Sequence, residues 1–245
     1  MRGLLEEHRN NKGSFPLVGG HRGCSCQYQE NSLRAMEEGI KRGASYLEID
    51  IQLTKDKIPV VFHDINVKEK TGLEGLVQEH TYQELYDRYG IPTLREAMQW
   101  GKRNQAWFAL ELKSLAYRTQ ESNLALMPLL DGIVREEGML ERVEAFGLDY
   151  QVLKRLKNID PAFEIGLIVP FVPADPVSLM QEMRAMVYLS YVYNITRPML
   201  GQLQDHGYYV SGAILRDPEL IQYAITMHVD MFEHDNPEQF SGREG

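Results

Sequence analysis

Cysteine is nearly absent. Only Cys24 and Cys26 occur, separated by a single serine. They are too close to staple a fold and lack the repeated pairs of a structural zinc site, so they read as reduced loop thiols. Long apolar runs are missing as well. The longest stretch free of Asp, Glu, Lys and Arg is Ala185 to Thr196, twelve residues, whereas a bilayer-spanning helix needs roughly eighteen or more. No transmembrane segment is encoded. Positive charge is in deficit, with 26 Lys and Arg against 35 Asp and Glu and a net charge of −9. That sign excludes a domain held mainly by a nucleic-acid backbone. Met1 to Gly13 is rich in Arg, Glu, His and Asn and lacks an apolar signal-peptide core, which leads us to expect a cytoplasmic protein. Internal repeats, low-complexity tracts and Gly/Ser linkers are also missing, so residues 1–245 are expected to form one domain.

What is present is alternation. Apolar, β-branched runs recur at Leu17–Arg22, Tyr46–Leu53, Ala106–Lys113, Val143–Leu148, Glu164–Val169, Met186–Tyr193, Tyr208–Leu215 and Val229–His234. Helical spacing fills the intervals Glu30–Arg42, Thr93–Arg103, Thr119–Glu137, Tyr150–Asn158, Pro176–Arg184, Thr196–His206 and Pro218–His228. Asp175-Pro176, Thr196 and Asp217-Pro218 read as helix starts. Eight strands with crossover helices, and no early glycine fingerprint for a dinucleotide, predict an α/β fold of the TIM-type (β/α)8 barrel kind. The extra run Pro59–His63 follows Leu53 too closely for a parallel crossover, so an antiparallel hairpin turning near Asp56-Lys57 is expected. That turn would set His63 opposite Asp50. Leu4–Asn11 is expected to cover the barrel floor or the gap left by a missing last helix.

In such a barrel, functional side chains cluster where strands end at the C-terminal face. His21 and Arg22 follow the first strand. Glu48 and Asp50 share one face of the second, and Glu111 and Lys113 one face of the third. Three carboxylates in a confined mouth repel unless a cation neutralises them, and an all-oxygen set suits Mg²⁺ or Ca²⁺, with Mn²⁺ a third option. Displacement at a phosphodiester needs charge neutralisation, a base for the nucleophile and an acid for the leaving alkoxide. His21 and His63 could exchange those protons. Arg22 offers a donor fork to phosphate oxygens and Lys113 a point charge.

The ordered blocks Gly20-His21-Arg22-Gly23, Glu30-Asn31-Ser32-Leu33, Leu47-Glu48-Ile49-Asp50-Ile51-Gln52-Leu53, Pro59-Val60-Val61-Phe62-His63-Asp64 and Leu110-Glu111-Leu112-Lys113 together resemble the glycerophosphodiester phosphodiesterase family. The resemblance implies a TIM-type barrel with a short insertion after the hairpin, here residues 65–91. It implies divalent-metal-dependent hydrolysis of a small-molecule glycerophosphodiester to sn-glycerol 3-phosphate and an alcohol. By that likeness His21 and His63 match the acid/base pair, Glu48, Asp50 and Glu111 the metal ligands, Arg22 the phosphate-contacting arginine and Lys113 the lysine beside the metal, so that Arg22 and Lys113 are expected to bind the substrate phosphate. Glu30 matches a glutamate near the metal, and Asn31 a neighbour supporting its loop.

Departures from the family pattern concentrate elsewhere. An Asp-Arg-Thr-type run after His-Asp is replaced by Lys68-Glu69-Lys70-Thr71, and a pocket tryptophan is missing from Val210-Ser211-Gly212-Ala213. The last strand ends in His234-Asp235-Asn236-Pro237 where the family has a Thr-Asp-Arg-Pro-like end. Chemistry is thus better preserved than the glycerol pocket. Two alternatives follow: a lysophospholipase D or sphingomyelinase D-like activity on single-chain lipids, and an inactive barrel that binds a phosphate ester.

Overall fold

The computed structural model describes residues 1–11 and 15–241. Residues 12–14 and 242–245 lie outside the described residues, including the end of the N-terminal stretch and of the tail.

The chain opens with helix α1 (Arg2–Asn10) and strand β1 (Leu17–His21), followed by α2 (Leu33–Lys41), β2 (Tyr46–Leu53) and β3 (Pro59–Val61). Three helices α3 (Lys68–Thr71), α4 (Tyr82–Tyr89) and α5 (Leu94–Asn104) precede β4 (Phe108–Leu112). Regular alternation follows: α6 (Ala116–Glu136), β5 (Val143–Gly147), α7 (Tyr150–Ile159), β6 (Ile165–Ile168), α8 (Pro176–Met183), β7 (Val187–Leu189), α9 (Arg197–Asp205), β8 (Tyr209–Ile214), α10 (Pro218–Met227) and β9 (Met231–His234). Among the described residues, β1, β2 and β4 to β9 pair in parallel, and β1 bonds to both β2 and β9. The sheet therefore closes into the expected (β/α)8 barrel. Helix starts lie where their caps predicted. Asp175 accepts from Ser178 N at 2.9 Å, Thr196 from Met199 N at 3.4 Å and Asp217 from Glu219 N at 2.8 Å, each such cap stabilising by about 1 kcal/mol.

Two apolar layers divide the barrel. Outward residues such as Leu47, Ile49, Phe108, Leu110 and Val143 pack under the helices. Inward residues fill the floor, where Tyr46, Phe146, Tyr209 and Met231 meet Met1 and Leu5 of the N-terminal segment. Helix α1 thus caps the barrel bottom, as expected for residues 4–11, and leaves the opposite mouth open. Gly19 makes this floor possible, because a Cβ there would overlap the Tyr46 ring that crosses the barrel.

The β2–β3 hairpin forms, but its register differs from the expected one. Ile51 pairs with Val61 and Leu53 with Pro59, so Asp50 faces Phe62 rather than His63, and Phe62 N donates to Asp50 O at 2.9 Å. The cause is a three-residue turn, Lys55-Asp56-Lys57, in which Lys57 takes the left-handed conformation at φ 64°. The one-residue slip ends the strand at Val61 and leaves His63 on the following loop. The insertion then builds a small core of its own from Val60, Phe62, Val67, Val77, Leu85 and Ile91.

Replacing Gly19 with alanine forces the buried Tyr46 ring aside, and overpacking of this kind costs about 1–3 kcal/mol. Denaturant unfolding of G19A should show that loss; an unchanged midpoint would mean that the floor is loosely packed.

Candidate active site at the barrel mouth

Side chains alternate along a strand, so Tyr46, Glu48, Asp50 and Gln52 of β2 all face the barrel interior. Glu48 and Asp50 are 1% and 0% exposed. Glu111 on β4 joins them because Asp50 and Glu111 are register partners. Oxygens of Glu48, Asp50 and Glu111 lie within 4.8 Å of one another, close enough to hold one metal ion. Glu48 Oε1 and Asp50 Oδ1 are buried with no hydrogen-bond partner, which costs free energy unless a cation occupies the space. Burial, then Asp50, Glu233 and Glu111, push the Glu48 carboxyl well above its usual range. These features fit a hard divalent cation with oxygen ligands.

Fixed cations border the triad. Lys113 Nζ donates to Glu111 Oε1 at 2.8 Å and lies 3.4 Å from Asp50 Oδ1. Burial opposes its charge, but Asp50 and Glu111 outweigh it and raise the Lys113 pKa. Arg22 adopts the left-handed conformation at φ 55°, a strained choice for a non-glycine. In this conformation its backbone N–H donates to Glu48 Oε2 at 3.0 Å and its side chain spans two carboxylates: NH1 donates to Glu30 at 2.8 Å and Nε lies 3.4 Å from Asp50. Asn31, also left-handed at φ 61°, grips Asp50 twice. Its Nδ2 donates to Asp50 Oδ2 at 2.7 Å and its Oδ1 accepts from Asp50 N at 3.2 Å.

Both histidines face carboxylates. His21 Nδ1 lies 2.7 Å from Asp235 Oδ1. Burial works against the Asp235 charge, but hydrogen bonds from His21 and Arg216 outweigh it and hold this carboxyl far below its ordinary pKa. An ionised carboxylate only accepts, so Nδ1 carries the proton and Nε2, 4.0 Å from Glu48 Oε2, is left as the free base. Burial lowers the His21 pKa, Asp235 partly offsets this, and Arg22 lowers it again. His63 repeats the pattern with Nδ1 2.7 Å from Asp64 Oδ1. It borders an open cleft of about 740 Å³ together with Asp64, Lys113 and Leu115.

The structure therefore gathers His21, Arg22, Glu30, Asn31, Glu48, Asp50, His63, Glu111 and Lys113 at one mouth. Several neighbours escaped the sequence reading. Gln52 Nε2 reaches the carbonyls of Phe62, His63 and Asp64 at 2.7, 3.2 and 3.1 Å and so fixes the loop bearing His63; the Glu48-x-Asp50-x-Gln52 period was its signal. Glu233, inward on β9 like Met231, is 5% exposed. Asp235 and Arg216 back His21 from the two last loops.

The sequence profile of the Glycerophosphoryl diester phosphodiesterase family matches residues 21–239. The chain belongs to this family. It is 27% identical over 236 residues to a glycerophosphodiester phosphodiesterase of Caldanaerobacter subterraneus subsp. tengcongensis, covering 91% of this chain and 95% of that one. A Bacillus altitudinis glycerophosphodiester phosphodiesterase is 34% identical over 146 residues, and the chain spans only about half of that relative's length, 54%. In three dimensions the fold is similar to an Oleispira antarctica phosphodiesterase solved in complex with the product sn-glycerol-3-phosphate, with a TM-score of 0.81 and 21% identity, covering 92% of this chain and 95% of that one.

Glu233 supplies a pH test. Burial and then Glu111 push its pKa from 4.5 up to about 8. A carboxyl raised on folding leaves stability intact below about pH 4.5 and erodes it as pH rises toward 8. In chelator, Glu233→Gln should stabilise the protein at pH 8.5 by on the order of 2 kcal/mol and hardly at pH 4.5. Unfolding at both pH values measures this, and a pH-independent difference would exclude Glu233 as the titrating group.

Proposed function

We propose that the protein hydrolyses glycerophosphodiesters to sn-glycerol 3-phosphate and an alcohol, with one divalent cation, Mg²⁺ or Ca²⁺ by donor type, held by Glu48, Asp50 and Glu111. The observation that carries this reading is the pairing of a buried carboxylate triad, in which Glu48 Oε1 and Asp50 Oδ1 have no hydrogen-bond partner, with two histidines whose Nδ1 atoms are each fixed by a carboxylate. A cation bound there would polarise a phosphoryl oxygen and offset its charge. Around it the chain's own residues divide the work. His21, kept neutral by its lowered pKa and oriented by Asp235, accepts a proton at Nε2 from the attacking oxygen. That oxygen is either water, which gives glycerol 3-phosphate directly, or the substrate's own glycerol hydroxyl, which gives a cyclic phosphate that water then opens. His63, oriented by Asp64 and the Gln52 clamp, delivers one to the leaving alkoxide. Lys113 and Arg22 hold negative oxygens at the mouth, Arg22 being anchored from behind by Glu30.

His21→Ala and His63→Ala should each lower kcat on glycerophosphocholine by about 10²–10⁴, and chelation should abolish turnover until Mg²⁺ or Ca²⁺ returns. Near wild-type turnover in either variant would overturn the proton-transfer roles.

One observation favours a second substrate. Most of the exposed large apolar side chains among the described residues sit on the loops and first helical turn that follow four adjacent strands, β4 to β7. They are Tyr117, Leu148, Phe171, Val172, Tyr191 and Tyr193, the last two stacked with ring centroids 5.2 Å apart. Leu115 joins this rim to the cleft beside His63 and Lys113. An apolar margin after the C-terminal ends of strands at the same end of the barrel as the phosphodiester site fits a single-chain lipid whose tail leaves the cleft past Leu115. On this reading Phe171→Ser with Tyr193→Ser should slow release of choline from lysophosphatidylcholine by about tenfold while sparing glycerophosphocholine. Equal effects on both substrates would remove the lipid reading.

A further inference from the structure

The insertion brings a charged residue against Glu30 and Asp64 that the reaction above leaves unused. Helix α3 makes a single turn, and its two lysines part ways: Lys68 pairs with Glu74 in solvent, whereas Lys70 points inward. Lys70 Nζ contacts Glu30 Oε1 and lies 3.9 Å from Asp64 Oδ2. Its side chain is 19% exposed, and the ammonium is 6.0 Å from the Phe62 ring centroid and 5.7 Å from that of Tyr89. Glu30, His63 and Asp64 are themselves a set whose ligand atoms lie within 4.8 Å of one another. Two carboxylates and an imidazole at that spacing would hold a divalent ion of the Mn²⁺ type. Here the space between the two carboxylates holds an ammonium instead.

The two clusters are joined by one side chain. Arg22 donates to Glu30 on one side and approaches Asp50 on the other, so charge alternates from Asp50 through Arg22, Glu30 and Lys70 to Asp64, which holds His63. Without Lys70, two carboxylates would face each other beside an imidazole with only Arg22 to offset them. With no cation between them Glu30 and Asp64 would repel, so the place would either take up an ion or shift Asp64, the partner that orients His63.

We propose that the Lys70 ammonium is the fixed second cation of this site: it occupies the place between Glu30 and Asp64 that a second divalent ion would otherwise take, and so positions Asp64 and His63. This rests on the phosphodiesterase reading only for its consequence in turnover. Lys70 is a positioning residue, and its part is distinct from binding substrate.

The test uses Lys70→Met, which keeps the stem packed on Phe62 and Tyr89, and Lys70→Arg, which restores the charge. Mn²⁺ bound per chain is counted by calorimetry and by elemental analysis after desalting. Lys70→Met should take up one more Mn²⁺ than the wild type, and Lys70→Arg no more than the wild type. With glycerophosphocholine, Lys70→Met should lose about tenfold in kcat with KM changed less than about twofold, and Lys70→Arg should recover most of it. A Lys70→Met protein with the wild-type ion count, or with wild-type kcat, overturns the proposal. Ion counting needs no substrate, so a wild type inactive on glycerophosphocholine would overturn the reaction while the count still decides the role of Lys70.

Discussion

Confinement of negative charge governs this molecule. Two unit charges about 5 Å apart repel by about 3 kcal/mol at an effective dielectric near 20, and the barrel holds Glu48, Asp50 and Glu111 at about that spacing. Glu144 and Glu233 are also buried in the barrel, and burial raises the pKa of each to about 8. Such a core is tolerable only if protons or cations offset it. That pair favours its protonated form, and the triad borders Lys113 and Arg22. Arg22 is shared with Glu30, and burial with the neighbouring carboxylates raises the Glu48 pKa as well, so a cation at the triad would relieve the same confinement.

Strand β2 carries most of this arrangement through one period of two. Tyr46 closes the floor, Glu48 and Asp50 face the mouth, and Gln52 binds the loop of His63. A shift of β2 by one residue would send all four under the helices. The packing of Leu47, Ile49, Ile51 and Leu53 against the outer layer prevents it, so apolar burial on one face sets the chemistry on the other.

The same periodicity explains what was legible in the sequence. Inward pairs on a strand announce themselves, as Glu48 with Asp50 and Glu111 with Lys113 do, and capped amphipathic segments fixed the order of the barrel elements. Contacts between distant loops leave no such mark. Asp235 meets His21 from the far end of the chain and is itself held by Arg216, and nothing in local spacing ties either to His21. The hairpin register failed for a local reason, since Lys57 carries no glycine or asparagine signal for its left-handed turn. Likewise Val210-Ser211-Gly212-Ala213, where the family tryptophan is missing, is irregular. The β8–β9 register shifts between Ser211 and Ile214, with Ala213 left-handed at φ 60°, and such bulges re-aim side chains at barrel rims.

The register error is informative about His63. A histidine placed by strand pairing would depend on every residue of the hairpin, whereas here three backbone carbonyls are held by Gln52 and one side chain by Asp64. The loop is therefore anchored from the barrel rather than by the hairpin. The short helix after it brings Lys70 to 3.9 Å from Asp64, and the Gln52 clamp makes no demand on the side chains of the loop, because it holds backbone carbonyls.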